Sequence, residues 1–547
     1  MTWQEKAAGK RARLAALIPH DLKLPTLPGP DVLDVTTYPL DSVLSPRDLE
    51  ITDTADVAVL LERMSTGVWT ATEVTSAYYK RALVAHQLVN CLTEIFIDQA
   101  MVRAKELDEH FKSTGKTVGP LHGLPISLKD QIDVKGVELT MGYVGWIGNV
   151  SKENSVCAQL LLDQGAVLYV RTNIPQALMF GESRNNVFGT TSNPFNRNLT
   201  CGGSSGGEGA LIALKGSPLG VGSDLGGSIR VPAAFQGLYG LRGSYHRVPY
   251  AGSTNSMEGQ EAIPSVLGPI SCSVGGLKIF MKAMADAQPW DADPLALRLP
   301  WNEGAYRLGD HGGEGGRLCF AVLWDDGRCK PMPPYARALR ETKAALEAAG
   351  HTVIDWVPYE SETGGKLLGD IYNADGGHDI SLACALSGEP RMGWILDEHA
   401  KHLSTYEYWQ LCRAKNAFTK KHLEHWVNTV SATGTGRPVD AIIVPAGSTA
   451  PQPHGKAQYI YYTAFANLCD YVASVFPVTA CDPAVDAQLP AHAFRSEADR
   501  MVYEMYEPET YRGAPISLQC VGRKGEEEAV IRMTEIIDAA LKTKTKK

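Results

Sequence analysis

The chain has 547 residues, 44% of them hydrophobic, enough to bury a large core, so a globular protein is expected. Its formal net charge of −9 leaves no basic footprint for a phosphate backbone, which excludes nucleic acid as an expected partner. The eleven cysteines include no C-x-x-C pair, which argues against the common zinc and thioredoxin-type motifs and fits reduced, mostly buried thiols.

The N-terminal MTWQEKAAGKRARLAALIPH is charged and then only briefly apolar, the wrong pattern for a secretory signal. No run reaches about 18 apolar residues, so no membrane span is expected and the cytoplasm is the expected location. Residues 71–86, ATEVTSAYYKRALVAH, carry Val74, Ala77, Tyr78 and Ala82 at helical spacing behind Thr72 as a candidate cap. An N-terminal helical region is therefore expected over 1–110, packed on a single α/β domain over 111–547.

Farther along, LPISL (124–128) and AVLYV (166–170) read as buried strands of one sheet. Residues 198–232 turn rich in Gly and Ser, but ALIAL (210–214) interrupts them, which predicts two structured loops joined by a helix. RLCFAVLW (317–324), PYARALRETKAALEAAG (334–350) and HTVIDWV (351–357) form a strand–helix–strand unit, which favours parallel pairing. DAIIVPAG (440–447), VFPVTA (475–480) and ISLQCV (516–521) add strands, and the helix EEEAVIRMTEIIDAAL (526–541) leads to a solvated KTKTKK end. No internal repeat is found. The expected fold class is α/β, with one large domain as the simplest architecture.

The Gly/Ser region admits several chemistries. GGSSGGEG (202–209) places Glu208 where a P-loop needs lysine, and an acid there repels phosphate. GVGSDLGG (220–227) has one residue too many for the dinucleotide fingerprint and no strong strand signal before it. Gly202 to Gly206 satisfies G-x-S-x-G, but the preceding NPFNRNLTC is polar, whereas a nucleophile elbow leaves a buried strand. The S-x-x-K of Ser113 to Lys116 lacks its partner motifs and reads as a polar turn. Cys201 reads as a small packed residue and His122 as a structural histidine.

A different chemistry starts from GLPISLKDQ (123–131). Strand alternation puts Ser127 and Lys129 on one face and Leu128 and Asp130 on the other, so Asp130 is not the obvious partner of Lys129. A lysine in an apolar setting without a counter-charge has a lowered pKa and becomes a usable base near neutral pH.

GLPISLKD, CGGSSGGEGALIA and GSDLGGSIRVPAAFQGLYGLR together resemble, in order and spacing, the signature of the amidase signature family of amide hydrolases. KRARLAALIP, MGYVGWIG (141–148), MFGESRNNVFGTTSNPFN (179–196), VPAGSTAPQPH (444–454) and VFPVTACDP extend the likeness toward the fungal acetamidase or general amidase branch, most weakly over 290–430. The resemblance implies the amidase signature fold, a large mixed twisted sheet covered by helices on both faces, with its signature core at about 120–275 and a variable part over 290–547.

The resemblance implies a Ser-Ser-Lys triad: Ser228 as nucleophile, Ser204 as bridging serine, Lys129 as base. It also implies a cis peptide bond from Gly203 to Ser204. Backbone N–H groups of Leu225, Gly226, Gly227 and Ser228 are the expected oxyanion donors. Asp224 and Arg230 are expected as a structural pair, and Ser205 as a hydrogen-bonding support for Lys129. Tyr143, Trp146, Leu178 and Met179 are candidates for the acyl pocket. The implied activity is cleavage of linear carboxylic amides to acid and ammonia or amine through a seryl acyl-enzyme, without metal or organic cofactor. Carbamates, aryl acylamides and esters are alternative substrates of the same mechanism, and a silent amidase-fold binding protein is the rival class. Oligomeric state stays open, although members of the family are often dimers.

Overall fold

The computed structural model describes residues 1–392, 400–456 and 459–545. Its centre is an eleven-stranded sheet. In chain order the strands are β1 (Leu92–Ile95), β2 (Pro125–Lys129), β3 (Val167–Thr172), β4 (Leu219–Asp224), β5 (Tyr239–Arg242), β6 (Val266–Ser271), β7 (Cys319–Val322), β8 (Thr352–Asp355), β9 (Ala441–Pro445), β10 (Val472–Ala480) and β11 (Pro515–Gly522). They lie side by side as β1-β3-β2-β4-β6-β5-β10-β11-β9-β7-β8. Two parallel blocks, β3-β2-β4 and β9-β7-β8, are joined by antiparallel pairs, so the sheet is mixed.

The parallel pairing expected over 317–357 is present: Thr352 lies opposite Cys319, with the helix Pro333–Ala348 as crossover. Alternate residues of β7 enter different cores. Phe320 and Val322 pack in a cluster with Ala338, Leu346, Val530 and Ile537, while Cys319 and Ala321 pack in another with Leu368, Ile371, Phe418 and Trp426. Both faces of the sheet are therefore covered by helices, as strands with this burial require.

The helix expected over 71–86 runs Ala71–Val89, and its cap is Thr70, not Thr72. Thr70 Oγ1 accepts from Glu73 N while the Glu73 carboxylate accepts from Thr70 N, a capping box that shifts the start by two residues. The N-terminal region is not wholly helical, because β1 joins the sheet antiparallel to β3 at its edge. The segment GVGSDLGG itself holds a strand that its glycines conceal: β4 is fully buried and sits between β2 and β6. Among the described residues no helix is long and apolar enough to cross a membrane.

Candidate active site

All five residues of β2 are buried. The alternation read from the sequence holds: Ser127 Oγ donates to Glu208 Oε2 (2.5 Å), and Lys129 Nζ on the same face lies 2.7 Å from Ser204 Oγ and 2.8 Å from Ser223 Oγ. Asp130 turns the other way, toward Arg171 (3.6 Å) and Thr140. Lys129 thus sits among hydroxyls. Burial lowers its pKa to about 7, against the weaker pull of Asp224 and Glu208. Burial also raises Glu208 to about 7, opposed by hydrogen bonds from Ser127 and Thr172.

Ser204 follows Gly203 across a cis peptide bond and stands just before the helix Gly206–Ala213. A Cβ on Gly203 would lie 2.5 Å from the Phe180 carbonyl oxygen, so only glycine fits between the two loops. The expectation that Ser205 hydrogen-bonds Lys129 is corrected. Its hydroxyl accepts from Ser223 N (3.2 Å) and so fixes the backbone of the serine that does touch the lysine. Ser205 N donates to Ser228 O (3.1 Å), which joins the two Gly/Ser loops.

The second loop leaves β4 at Asp224. Its carboxylate accepts from Gly227 N (2.8 Å), Ile229 N (3.1 Å), and Arg230 Nε and Nη2 (both 3.0 Å). Arg230 also donates to Asn467 Oδ1 (2.6 Å), Thr463 O (2.8 Å) and Gln519 Oε1 (2.8 Å). The expected Asp224–Arg230 pair is therefore formed, fully buried. Burial pushes the Asp224 carboxyl up, but the Arg230 guanidinium, Asn467 and Arg242 outweigh it and hold it well below the usual carboxylate range.

One expected oxyanion donor changes role. Gly227 N–H is engaged by Asp224, which leaves Leu225, Gly226 and Ser228 as the candidate donors of the expected set. Gly227 has φ +131°, and a Cβ there would lie 2.3 Å from Thr463 Oγ1. Gly227→Ala is accordingly expected to lower unfolding stability by about 1–3 kcal/mol and to remove most activity, as urea denaturation and a hydrolysis assay would measure.

Ser228, half-buried, opens onto a small cavity. Leu178, Met179, Leu225, Val231 and Ile460 give it apolar walls, and Tyr372 stands beside them. Leu178 and Met179, two of the candidates for the acyl pocket, line this cavity. Tyr143 and Trp146 are not among the lining residues: Tyr143 is fully buried, shares a hydrogen bond with Ser256 (2.9 Å) and packs its ring 5.1 Å from that of Trp146. Their aromatic surface supports the apolar cluster behind the wall.

Sequence reasoning missed Ser223, Gln131, Tyr372, Ile460 and Thr463. Tyr372 Oη donates to Leu225 O and Thr463 Oγ1 to Gly226 O, each at 2.7 Å, so both brace the loop that carries Ser228. Ser223 and Gln131 lie within motifs already singled out; the other three had no local signal. His122 is structural, accepting from Val118 N (3.1 Å), and burial raises the Cys201 thiol far above its ordinary range. Among the described residues no three His, Cys, Asp or Glu side chains are grouped so as to hold a metal ion.

Comparison with known proteins places the chain in a family. The family described as Amidase matches residues 73–531. The chain is 43% identical over 544 residues to an acetamidase of Emericella nidulans, covering 99% of this chain and 98% of that protein. It is 41% identical to an acetamidase of Aspergillus oryzae, covering 99% of each. Among solved structures a fatty acid amide hydrolase superposes with a TM-score of 0.91 at 33% identity, covering 98% of this chain and 95% of that one. With a family match over most of its length and relatives this similar end to end, the chain belongs to the amidase family of amide-hydrolysing enzymes.

Proposed function

We infer that the protein hydrolyses linear carboxylic amides to a carboxylic acid and ammonia or an amine, using Ser228, Ser204 and Lys129. The observation that carries this reading is the 2.7 Å approach of Lys129 Nζ to Ser204 Oγ, in a buried setting that keeps much of the amine neutral near pH 7. The cavity beside Ser228 is small, and its apolar walls suit a short aliphatic or aryl acyl group.

In the acylation half, Ser228 Oγ forms a bond to the amide carbonyl carbon. Its proton passes to Ser204, and the Ser204 proton passes to the Lys129 amine. Negative charge gathers on the carbonyl oxygen, opposite the backbone N–H groups of Leu225, Gly226 and Ser228. The C–N bond then breaks as the proton returns through Ser204 to the departing nitrogen. In the second half, water adds to the acyl ester, giving its proton to the same relay, and the ester C–O bond breaks to release the acid and restore Ser228.

Two measurements test the reading. A serine-directed fluorophosphonate is expected to modify Ser228; absence of labelling would favour a silent binding protein. A panel of acetamide, longer aliphatic amides, aryl amides and ethyl carbamate is expected to show highest kcat/KM for the linear carboxylic amides. Preference for the carbamate would overturn the substrate assignment while leaving the mechanism in place.

A further inference from the structure

A backbone carbonyl oxygen only accepts hydrogen bonds. Thr254 O lies 3.0 Å from the side-chain nitrogen of Gln131, so the NH₂ end of that amide faces Thr254, and Tyr250 Oη lies 2.6 Å from the same nitrogen. The amide cannot easily turn round. Thr254 N donates to Gln131 O (2.9 Å), the neighbouring Ile132 and Ser253 form a bridge, and Gln131 is completely buried.

The carbonyl end of the amide therefore faces Ser223, whose hydroxyl donates to Gln131 Oε1. Ser223 has one proton, and Gln131 holds it. Toward Lys129 Nζ, 2.8 Å away, Ser223 Oγ can offer only a lone pair and must accept. A neutral lysine amine carries two N–H bonds and one lone pair. One N–H is spent on Ser223. Of the two hydroxyls that touch Nζ, only that of Ser204 is left to present a proton to the lone pair.

We propose that Gln131 is a positioning residue for amide hydrolysis: it draws the Ser223 proton away from Lys129, so that Ser204 alone of the two contacting serines feeds the amine and the relay has one direction. The proposal rests on the Ser228-Ser204-Lys129 reading given above. Its physical content is a competition. If Gln131 could not accept, the Ser223 hydroxyl would be free to rotate and donate to the lysine lone pair, blocking Ser204.

This competition predicts a reversal of sign that a merely structural residue would not produce. Gln131→Met keeps the length of the side chain and removes the acceptor, and is expected to lower kcat about tenfold, the worth of one misdirected hydrogen bond, with KM little changed. Ser223→Ala alone is expected to lower kcat, because Lys129 loses an acceptor that orients it. Ser223→Ala placed on top of Gln131→Met is expected to raise kcat above that of Gln131→Met, because the competing donor is gone.

If Ser223→Ala lowers kcat in both backgrounds, the proposal is overturned. Lys129→Ala in the same assay separates the two levels: retained activity there would sink the relay itself, whereas lost activity without the sign reversal sinks only the role of Gln131. Thermal melting checks each variant. Should Gln131→Met fail to fold, Gln131→Glu carries the test, since its carboxylate still accepts from Ser223. In that background Ser223→Ala is expected to remain harmful and the acid limb of the rate profile to move to higher pH, because the added negative charge favours protonated lysine. A beneficial Ser223→Ala, or an unmoved acid limb, would overturn the assignment.

Discussion

Lys129→Ala is expected to lower the rate of amide hydrolysis at pH 7 by about 10²–10⁴-fold, the range a positioned base supplies, while the fold survives. The survival follows from the state of the native lysine. It makes hydrogen bonds to Ser204 and Ser223, and its pKa is lowered by burial to about 7 from 10.5. Between those two values the unfolded chain holds a proton that the native site does not, so stability contributed by this group rises with pH and its burial is a cost at neutrality. Removing the amine therefore removes a burden along with a contact.

The same shift fixes the sign of the rate profile. The working form is the neutral amine, which prevails above its pKa, so acylation by the native enzyme is expected to rise through about pH 7 and level off above it. Single-turnover rates between about pH 5 and 9 would show this limb, and Lys129→Ala is expected to lose it. Near-native rates in the variant, or a native rate that ignores pH over that range, would rule out the base assignment.

Arg230→Leu is expected to destabilise the protein by about 3–5 kcal/mol, the cost of leaving a buried charge without its partner, and to abolish activity. The Asp224 carboxylate is fully buried and takes hydrogen bonds from Arg230 and Asn467 side chains and from the backbone of Gly227 and Ile229. Without the guanidinium, the carboxylate loses the charge that keeps it ionised, and the loop carrying Ser228 loses its tie to the C-terminal half. The native Asp224 pKa is depressed, so its stabilisation is present above the unfolded value of 3.8 and is lost as pH falls toward the native one. Urea denaturation at pH 7 and again at about pH 3 is expected to show a smaller gap between variant and native protein in acid. A loss below about 1 kcal/mol at pH 7 would show that other donors suffice.

Much of this site was legible in the sequence because it rests on short-range rules. Period-two alternation separated Lys129 from Asp130, and the family resemblance carried by three motifs in fixed order implied Ser204 and Ser228. β4 was hidden for a physical reason. Its residues LGVGSD have low strand propensity, but larger side chains would not fit: a Cβ on Gly220 would lie 1.9 Å from Glu208 Oε2, and one on Gly222 2.7 Å from Ser205 Oγ. The glycines that disguise the strand let the helix Gly206–Ala213 lie against it. Tyr372, Ile460 and Thr463 were illegible because nothing in their own neighbourhoods signals a wall 147 or more positions from the loop they brace. Tyr143 and Trp146 were placed in the right region but not in the lining itself, since aromatic residues pack behind walls as readily as on them.

The reach of Arg230 sets a condition on how this enzyme comes alive during synthesis. The proposed triad of Ser228, Ser204 and Lys129 emerges from the ribosome within the first half of the chain, yet Arg230 takes Asn467 and Gln519, 237 and 289 positions downstream, as its partners. A nascent or truncated polypeptide ending before Gln519 carries every reacting atom but not the anchorage that aims them. A chain truncated before Gln519 is accordingly expected to lack hydrolytic activity.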